Sequence, residues 1–311
     1  MNMSHSENPL SDLRCILPGV HSPFSALLAE RAGAEALYLS GGALTSDRGI
    51  PDIGLISVKE LAEATFSIRQ VCALPLVVDA DTGFGEAINV WRSVRMLEAA
   101  GADAIQIEDQ RMPKRCGHLE GKELIDADAM CEKIRTAVAA RRRALIVART
   151  DARSVEGLQS ALSRARRYMD EGADIIFPEA LENRTEFRAF AGRVHARLIA
   201  NMTEFGRTEL IGAEEFFSMG YSFVLFPVTA FRAAAKAERM VYEELLMHGS
   251  QSAVLKDLMT REEQYDVIHY DSYRKIDEDV SVHREPYFST QRKSRKGKSR
   301  TMSSDNSRST D

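Results

Sequence analysis

A short apolar run that ends on a polar residue and is followed by a helical stretch recurs eight times along this chain. Cys15–Pro18 opens the series. Ala36–Leu39 leads into Ser40-Gly41-Gly42, Pro75–Val78 into Asp79-Ala80-Asp81, and Ala104–Ile107 into Glu108-Asp109. Leu145–Ala148 leads into Arg149-Thr150-Asp151, and Ile175–Phe177 into Pro178-Glu179. Leu198–Ala200 leads into Asn201-Met202-Thr203, and Phe223–Phe226 into Pro227. Val58–Gln70, Ala87–Ala100, Ala127–Ala140, Val155–Glu171 and Thr229–Met247 carry apolar residues at three- and four-residue spacing, which predicts helices. Gly101 and Gly172 stand where helix C-caps are expected. Strand followed by helix, eight times over, predicts an α/β fold of the (β/α)8 TIM-barrel type. A doubly wound open sheet is the rival, but it requires a glycine-rich phosphate loop after its first strand. Gly83-x-Gly85 follows the third strand instead and lacks the third glycine of the dinucleotide fingerprint.

The 311 residues are 44% hydrophobic and 28% charged, enough for a sizeable core. A net charge of −5 makes no general case for nucleic-acid binding. Cys15, Cys72, Cys116 and Cys131 are widely spaced, without a Cys-x-x-Cys pair, so neither zinc nor a disulfide framework is expected. Met1 to Asn8 is polar rather than signal-like, and no apolar run approaches the roughly 20 residues of a membrane span. A soluble, cytoplasmic protein is the expectation. Residues 1–288 are expected to form one barrel domain with C-terminal helices, and 289–311 a tail. Ser252–Met259 and Arg261–Tyr270 read as amphipathic segments that no barrel needs for closure; they are expected to pack on a neighbouring barrel or subunit. Arg292, Lys293, Arg295, Lys296, Lys298 and Arg300 make the tail basic and disordered in expectation, with neither membrane nor nucleic acid as its expected partner.

Active sites of such barrels lie at the C-terminal strand ends, so Ser40, Asp79, Asp81, Glu108, Arg149, Glu179, Asn201 and Thr203 should converge on one mouth. In Asp79-Ala80-Asp81 strand alternation would point both carboxylates the same way. Two carboxylates side by side repel unless a cation joins them, and magnesium suits such a pair because it keeps several waters. Glu108 could order those waters. The competing reading is a helix-capping or loop Asp pair. Lys114-Arg115-Cys116-Gly117-His118 sets a thiol among cations, which favours the thiolate and primes it for proton transfer or nucleophilic attack. An ordinary surface cysteine is the alternative. Gly117 permits a close backbone approach. Arg149 suits a substrate carboxylate in bidentate geometry, or else a structural pair with Glu179 or Asp151. Ser40-Gly41-Gly42 offers N–H groups and a hydroxyl to an anion. A metal, several anion contacts and one activated thiol suit a small polycarboxylate whose carbon–carbon bond is made or broken.

Seven segments carry a family resemblance: YLSGGALTSDRGIPDIG (38–54), VDADTGFG (78–85), IEDQRMPKRCGH (107–118), VARTDA (147–152), FPEA (177–180), ANMTEFG (200–206) and FPVTAFRAA (226–234). From about Leu17 to Asp279 the chain resembles the isocitrate lyase and phosphoenolpyruvate mutase superfamily, and within it the branch of 2-methylisocitrate lyases. Isocitrate lyases proper are larger, and the phosphonate-forming mutases lack the cysteine loop. The oxaloacetate hydrolase branch shares that loop but differs around Thr203-Glu204-Phe205 and Phe231-Arg232. The resemblance implies magnesium, with manganese as the alternative, at Asp79 and Asp81, and Glu108 joined through water. It implies lysis of 2-methylisocitrate to pyruvate and succinate, with Cys116 as general acid tuned by Lys114, Arg115 and His118. Ser40, Gly41, Gly42 and Asp52 would take the pyruvate side. Gly117, Arg149, Glu179, Asn201, Thr203, Arg232 and Arg261 would bind carboxylates or order the loop, Arg232 and Arg261 adding positive charge for a tricarboxylate. It further implies a homotetramer built as a pair of dimers that exchange C-terminal helices. Other lyases or hydrolases of the superfamily, and a barrel that only binds, are the alternatives. Ser22 departs from the Asp or Asn common in the family, and the basic tail is foreign to the pattern.

Overall fold

The structure is a computed structural model that describes residues 8–115, 117, 121–206 and 208–282. Its strands are β1 (Cys15–Val20), β2 (Leu37–Leu39), β3 (Leu76–Asp79), β4 (Ala104–Glu108), β5 (Leu145–Thr150), β6 (Ile175–Pro178), β7 (Arg197–Asn201) and β8 (Phe223–Phe226). They pair in parallel in sequence order, and β8 returns to β1 with Cys15 opposite Phe223. The sheet is a closed (β/α)8 barrel.

The helices of the first half are α1 (Pro23–Arg31), α2 (Gly41–Asp47), α3 (Val58–Arg69), α4 (Ala87–Ala100) and α5 (Ala127–Ala140). Those of the second half are α6 (Ala152–Val155), α7 (Leu158–Asp170), α8 (Arg184–Ala191), α9 (Ala213–Ser218) and α10 (Thr229–His248). A single helix expected over Val155–Glu171 is two, because Gly157 takes φ +91° between α6 and α7. Ser22 caps α1: its hydroxyl accepts from Ser25 N, and Ser25 reciprocates on the Ser22 N–H. An Asp or Asn there would cap the same helix, so the departure from the family pattern costs the fold little.

Strand alternation divides the core in two. One set of side chains faces the helices, among them Leu39, Val78, Ile105, Ile146, Ile176, Leu198 and Val224. The other fills the barrel: Leu17, Tyr38, Val77, Ala104, Val147, Ile175, Phe177, Ile199 and Leu225. Residues ahead of β1 plug the lower end. Leu10 is fully buried among the inward residues, Asn8 Nδ2 donates to Asp103 O and Arg143 O, and Arg197 donates to Leu10 O and Leu13 O.

By its contacts the chain divides into two units, residues 1–257 and 258–311. Ser252–Met259, expected to be an amphipathic segment, spans the division and holds only a short 3-10 turn over Leu255–Asp257, in the first unit. In the second, the segment expected over Arg261–Tyr270 is two helices, α11 (Arg261–Val267) and α12 (Tyr270–Val282). The basic run from 292 onward lies outside the described residues. Among those residues no helix is long and apolar enough to cross a membrane.

Candidate active site

The same alternation that fills the barrel delivers polar groups to its mouth. Two residues beyond the inward Tyr38, Val77, Val147, Phe177 and Ile199 stand Ser40, Asp79, Arg149, Glu179 and Asn201. On β4 the inward series Ala104, Gln106, Glu108 is polar for its last two members. One pocket is lined by Ser40, Gly42, Asp52, Asp79, Lys114, Arg115, Gly117, Arg149, Glu179, Asn201, Thr203 and Arg232. Tyr38, Phe177, Leu225, Pro227 and Val228 supply its apolar floor and wall. Cys116 and His118 lie outside the described residues, and both of their expected roles with them. Arg261 is exposed at the first position of α11 and belongs to the second unit, where it lines an open groove with other exposed residues such as Asp266, His269 and Arg274.

Alternation places Asp79 but not Asp81. Asp79 ends β3, whereas Asp81 lies beyond the strand with φ +48° and returns its carboxylate toward Asp79 through a tight turn. Gly83, Phe84 and Gly85 continue that turn with positive φ, a conformation that costs Phe84 backbone energy. The turn is held from behind: buried Lys133 donates to Thr82 O at 3.0 Å and Ser93 to Gly83 O at 3.2 Å. The two carboxylates do converge. A Cβ on Gly41 would lie 3.0 Å from Asp79 Oδ2 and 3.6 Å from Asp81 Oδ1. Asp79 accepts from Gln106 Nε2 at 2.9 Å, and Tyr38 fixes the Gln106 amide with a 2.7 Å bond from its hydroxyl.

Lys114 is buried against this pair, its ammonium 2.7 Å from Asp81 Oδ1 and bonded to Asp52. Expected to tune the thiol, it is instead engaged by the carboxylates of the mouth. Burial would lower its pKa, yet Asp81, Glu108, Asp52 and Asp79 together hold it above the usual lysine range. Burial pushes Asp81 up to about 6 despite Lys114, with Asp79 and Asp52 adding to the rise. Burial also raises Glu108 well above the usual range and outweighs the lowering by Arg149 and Lys114, with Asp151 and Asp79 adding to the rise. Asp52, Asp79, Asp81 and Glu108 thus gather about the Lys114 ammonium at this end of the pocket. Among the described residues Glu108 Oε1 is buried without a hydrogen-bond partner. No group of three His, Cys, Asp or Glu among them is set to hold a metal alone. A hard ion that takes one or two carboxylates and keeps its waters fits this arrangement; Asp79 and Asp81 would be its direct donors and Glu108 would accept from its waters.

The opposite wall is an ion network around Arg149. Its fork grips Asp151, with Nε 2.9 Å from Oδ2 and Nη2 3.1 Å from Oδ1, and its remaining edges face Glu108 at 3.3 Å and Glu179 at 3.5 Å. Of the two readings open for Arg149, the bidentate partner is Asp151. Glu179 is buried and accepts from Asn201 Nδ2 at 3.1 Å. Burial would raise Asp151, but Arg149 and Lys122 hold it below the usual carboxylate range. Arg232, on the first turn of α10, donates to Glu204 Oε2 at 2.9 Å and to Glu204 O at 3.0 Å, and its guanidinium lies 5.6 Å from the ring of exposed Phe205. Thr203, Glu204, Phe205 and Arg232 thus meet at one rim, but Glu204 neutralises much of the charge expected of Arg232.

Residues 5–246 match the family described as phosphoenolpyruvate phosphomutase. The chain belongs to the phosphoenolpyruvate mutase/isocitrate lyase superfamily. Within this superfamily it is 56% identical to 2-methylisocitrate lyase of Aeropyrum pernix over 91% of this chain and 92% of that protein. It is 47% identical to 2-methylisocitrate lyase of Bacillus subtilis over 85% and 88%. Of solved superfamily structures, 2,3-dimethylmalate lyase aligns with TM-score 0.82 at 33% identity over 89% of this chain and 93% of that one. Oxaloacetate acetylhydrolase with 3,3-difluorooxalacetate aligns with TM-score 0.83 at 29% identity over 88% and 95%. The superfamily's lyases generally depend on a divalent metal.

Proposed function

We propose that the protein is a carbon–carbon lyase that cleaves 2-methylisocitrate to pyruvate and succinate. The observation that carries the substrate is the near-full-length identity with 2-methylisocitrate lyases, well above that with oxaloacetate acetylhydrolase. The geometry supports the chemistry, because carboxylates that suit a hard cation face an arginine network across one pocket.

Asp79 and Asp81 are the residues to hold magnesium, with Glu108 ordering its waters. When bound, the ion would supply Lewis-acid polarisation of substrate oxygens. Ser40, Gly41 and Gly42 present a hydroxyl and amides to the pyruvate carboxylate, although Gly41 N here faces Asp79 Oδ2 at 3.3 Å. The tertiary hydroxyl gives its proton to solvent water, the carbon–carbon bond opens, and its electron pair passes to the succinate half. The Cys116 thiol gives its proton to that carbon, and the resulting thiolate recovers a proton from solvent, which balances the proton lost from oxygen. Arg149, Asn201, Thr203 and Arg232 bind the carboxylates, and Glu179 orients Asn201. Arg115 and His118 tune the thiol. The assembly is a cytoplasmic homotetramer in which residues 1–288 act as one barrel domain with exchanged C-terminal helices. Along α10 no residue is buried, and Met240, Tyr242, Leu246 and Met247 are exposed, which suits burial against a second copy.

The test is steady-state turnover of 2-methylisocitrate, isocitrate and oxaloacetate by one preparation with magnesium. 2-Methylisocitrate should give the highest kcat/KM, and Cys116→Ser should lower kcat by about 10²–10⁴-fold. Excess EDTA should abolish turnover, and magnesium should restore it. Faster turnover of oxaloacetate would transfer the enzyme to the hydrolase branch.

A further inference from the structure

The segment between β4 and α5 carries Cys116, and its stem is closed by backbone pairing. Gln110 bridges Leu124, Arg111 N donates to Glu123 O at 2.7 Å, and Ile125 N to Asp109 O at 3.0 Å. Inside that stem two buried side chains reach the backbone. Gln110 clasps Arg115 with both ends of its amide: Nε2 donates to Arg115 O at 2.8 Å and Oε1 accepts from Arg115 N at 2.9 Å. Lys122 donates to Gly117 O and, at 2.7 Å, to Asp151 Oδ1. Arg115 and Gly117 are the two residues bonded to Cys116 in the chain.

Lys122 is buried, and Asp151 is fully so. Holding an ammonium there is costly unless it is paired and hydrogen-bonded, and the Gly117 carbonyl and the Asp151 carboxylate supply both. Gly117 has no room for a side chain on this seat: a Cβ would lie 2.6 Å from Glu179 Cδ and 2.7 Å from Arg149 Nη2. The carbonyl of Gly117 is therefore tied through Lys122 and Asp151 to the guanidinium of Arg149. Gln110 ties the other neighbour to the end of β4.

We infer that Gln110 and Lys122 are positioning residues for the thiol, fixing the backbone of Arg115 and Gly117 and registering Gly117 against the Arg149 network. The inference rests on the assignment of Cys116 as general acid. Holding the two flanking residues matters because a displacement of about 1 Å at a proton donor costs on the order of 100-fold in rate.

Lys122→Met and Gln110→Met are compared with Lys122→Arg in the full-length protein with magnesium. Lys122→Met should lower kcat by about 100-fold with KM changed by no more than about threefold, and Lys122→Arg should restore about tenfold of that loss. Combined with Cys116→Ser, Lys122→Met should add no further loss, because both act on one step. Iodoacetamide labelling of Cys116, followed by peptide mass, reports the thiol without reference to substrate. Its rate at fixed pH should change by about fivefold or more in both Met variants. Gln110→Met leaves the Arg149 ion network whole, so it decides the matter if Lys122→Met fails to fold. Wild-type kcat and labelling rate in the Met variants overturn the inference. So does an equal loss from Lys122→Met in the wild-type and Cys116→Ser backgrounds. If Cys116→Ser is itself fully active, the general-acid assignment fails; an altered labelling rate still supports positioning, and an unaltered one overturns it.

Discussion

Cys15, Cys72 and Cys131 are buried, and burial pushes each thiol above its usual range, Cys15 to about 11. A raised thiol pKa keeps the group protonated through neutrality and releases thiolate only as pH climbs toward the raised value. At pH 7.5 iodoacetamide should therefore label Cys116 alone among the four cysteines, and Cys15 should react only as pH approaches about 11; peptide mass after labelling checks both. Asp151 has the opposite sign. Its lowered pKa contributes stability above the unfolded carboxylate value of about 3.9 that is lost as pH falls through the folded value. Thermal unfolding of Lys122→Met should show a deficit at pH 7 that shrinks below about pH 4, and a deficit independent of pH would contradict that origin. Side chains at strand ends were legible in the sequence because period-two alternation fixes where they point. Lys122 was not, since its meaning depends on a turn that returns it to Gly117 and Asp151. Nor was the pairing of Lys114 with Asp52 and Asp81, because charge beside a cysteine in sequence does not say which way a long side chain reaches.

Element by element, the strands stand where the apolar runs predicted, extended by a residue or two at several ends. The extensions matter: Asp79, Glu108 and Asn201 are strand residues, and this is what aims them into the mouth. Asp81 and the α6–α7 break both depend on positive φ, which hydrophobic periodicity does not encode. Ser22 offers a test confined to one element. Its capping box serves α1 and it does not line the pocket, so Ser22→Ala should cost about 1 kcal/mol in unfolding free energy, with kcat unchanged. Ser22→Asp should match the wild type. Chemical denaturation monitored by circular dichroism measures both, and a change in kcat would mean that the cap does more than hold the helix.

At the scale of the whole molecule, barrel closure and assembly are separate matters. The closed sheet was legible because eight repeats of one unit leave few alternatives. The plug made by residues 8–13 was not, since a lone Leu10 among polar neighbours carries no periodic signal. Deleting residues 1–13 removes the burial of Leu10 and should cost at least about 2 kcal/mol. Thermal unfolding measures that loss, and an unchanged midpoint would mean the barrel closes without the plug. Light scattering should return the mass of a tetramer, and a monomer at micromolar concentration would remove the exchange of C-terminal helices.

The plug and the β1–β8 seam also set the order in which this chain becomes a protein. Asn8 finds the carbonyl of Arg143, Leu10 is capped by Arg197, and Cys15 pairs with Phe223. Residues 8–20 are made before the β5, β7 and β8 regions that hold them, so they wait for those partners. Until then β1 keeps an open edge, and the lower end of the nascent sheet stays uncovered. Such long sequence separations slow the final step, so the newborn chain is most exposed to aggregation just before its barrel shuts.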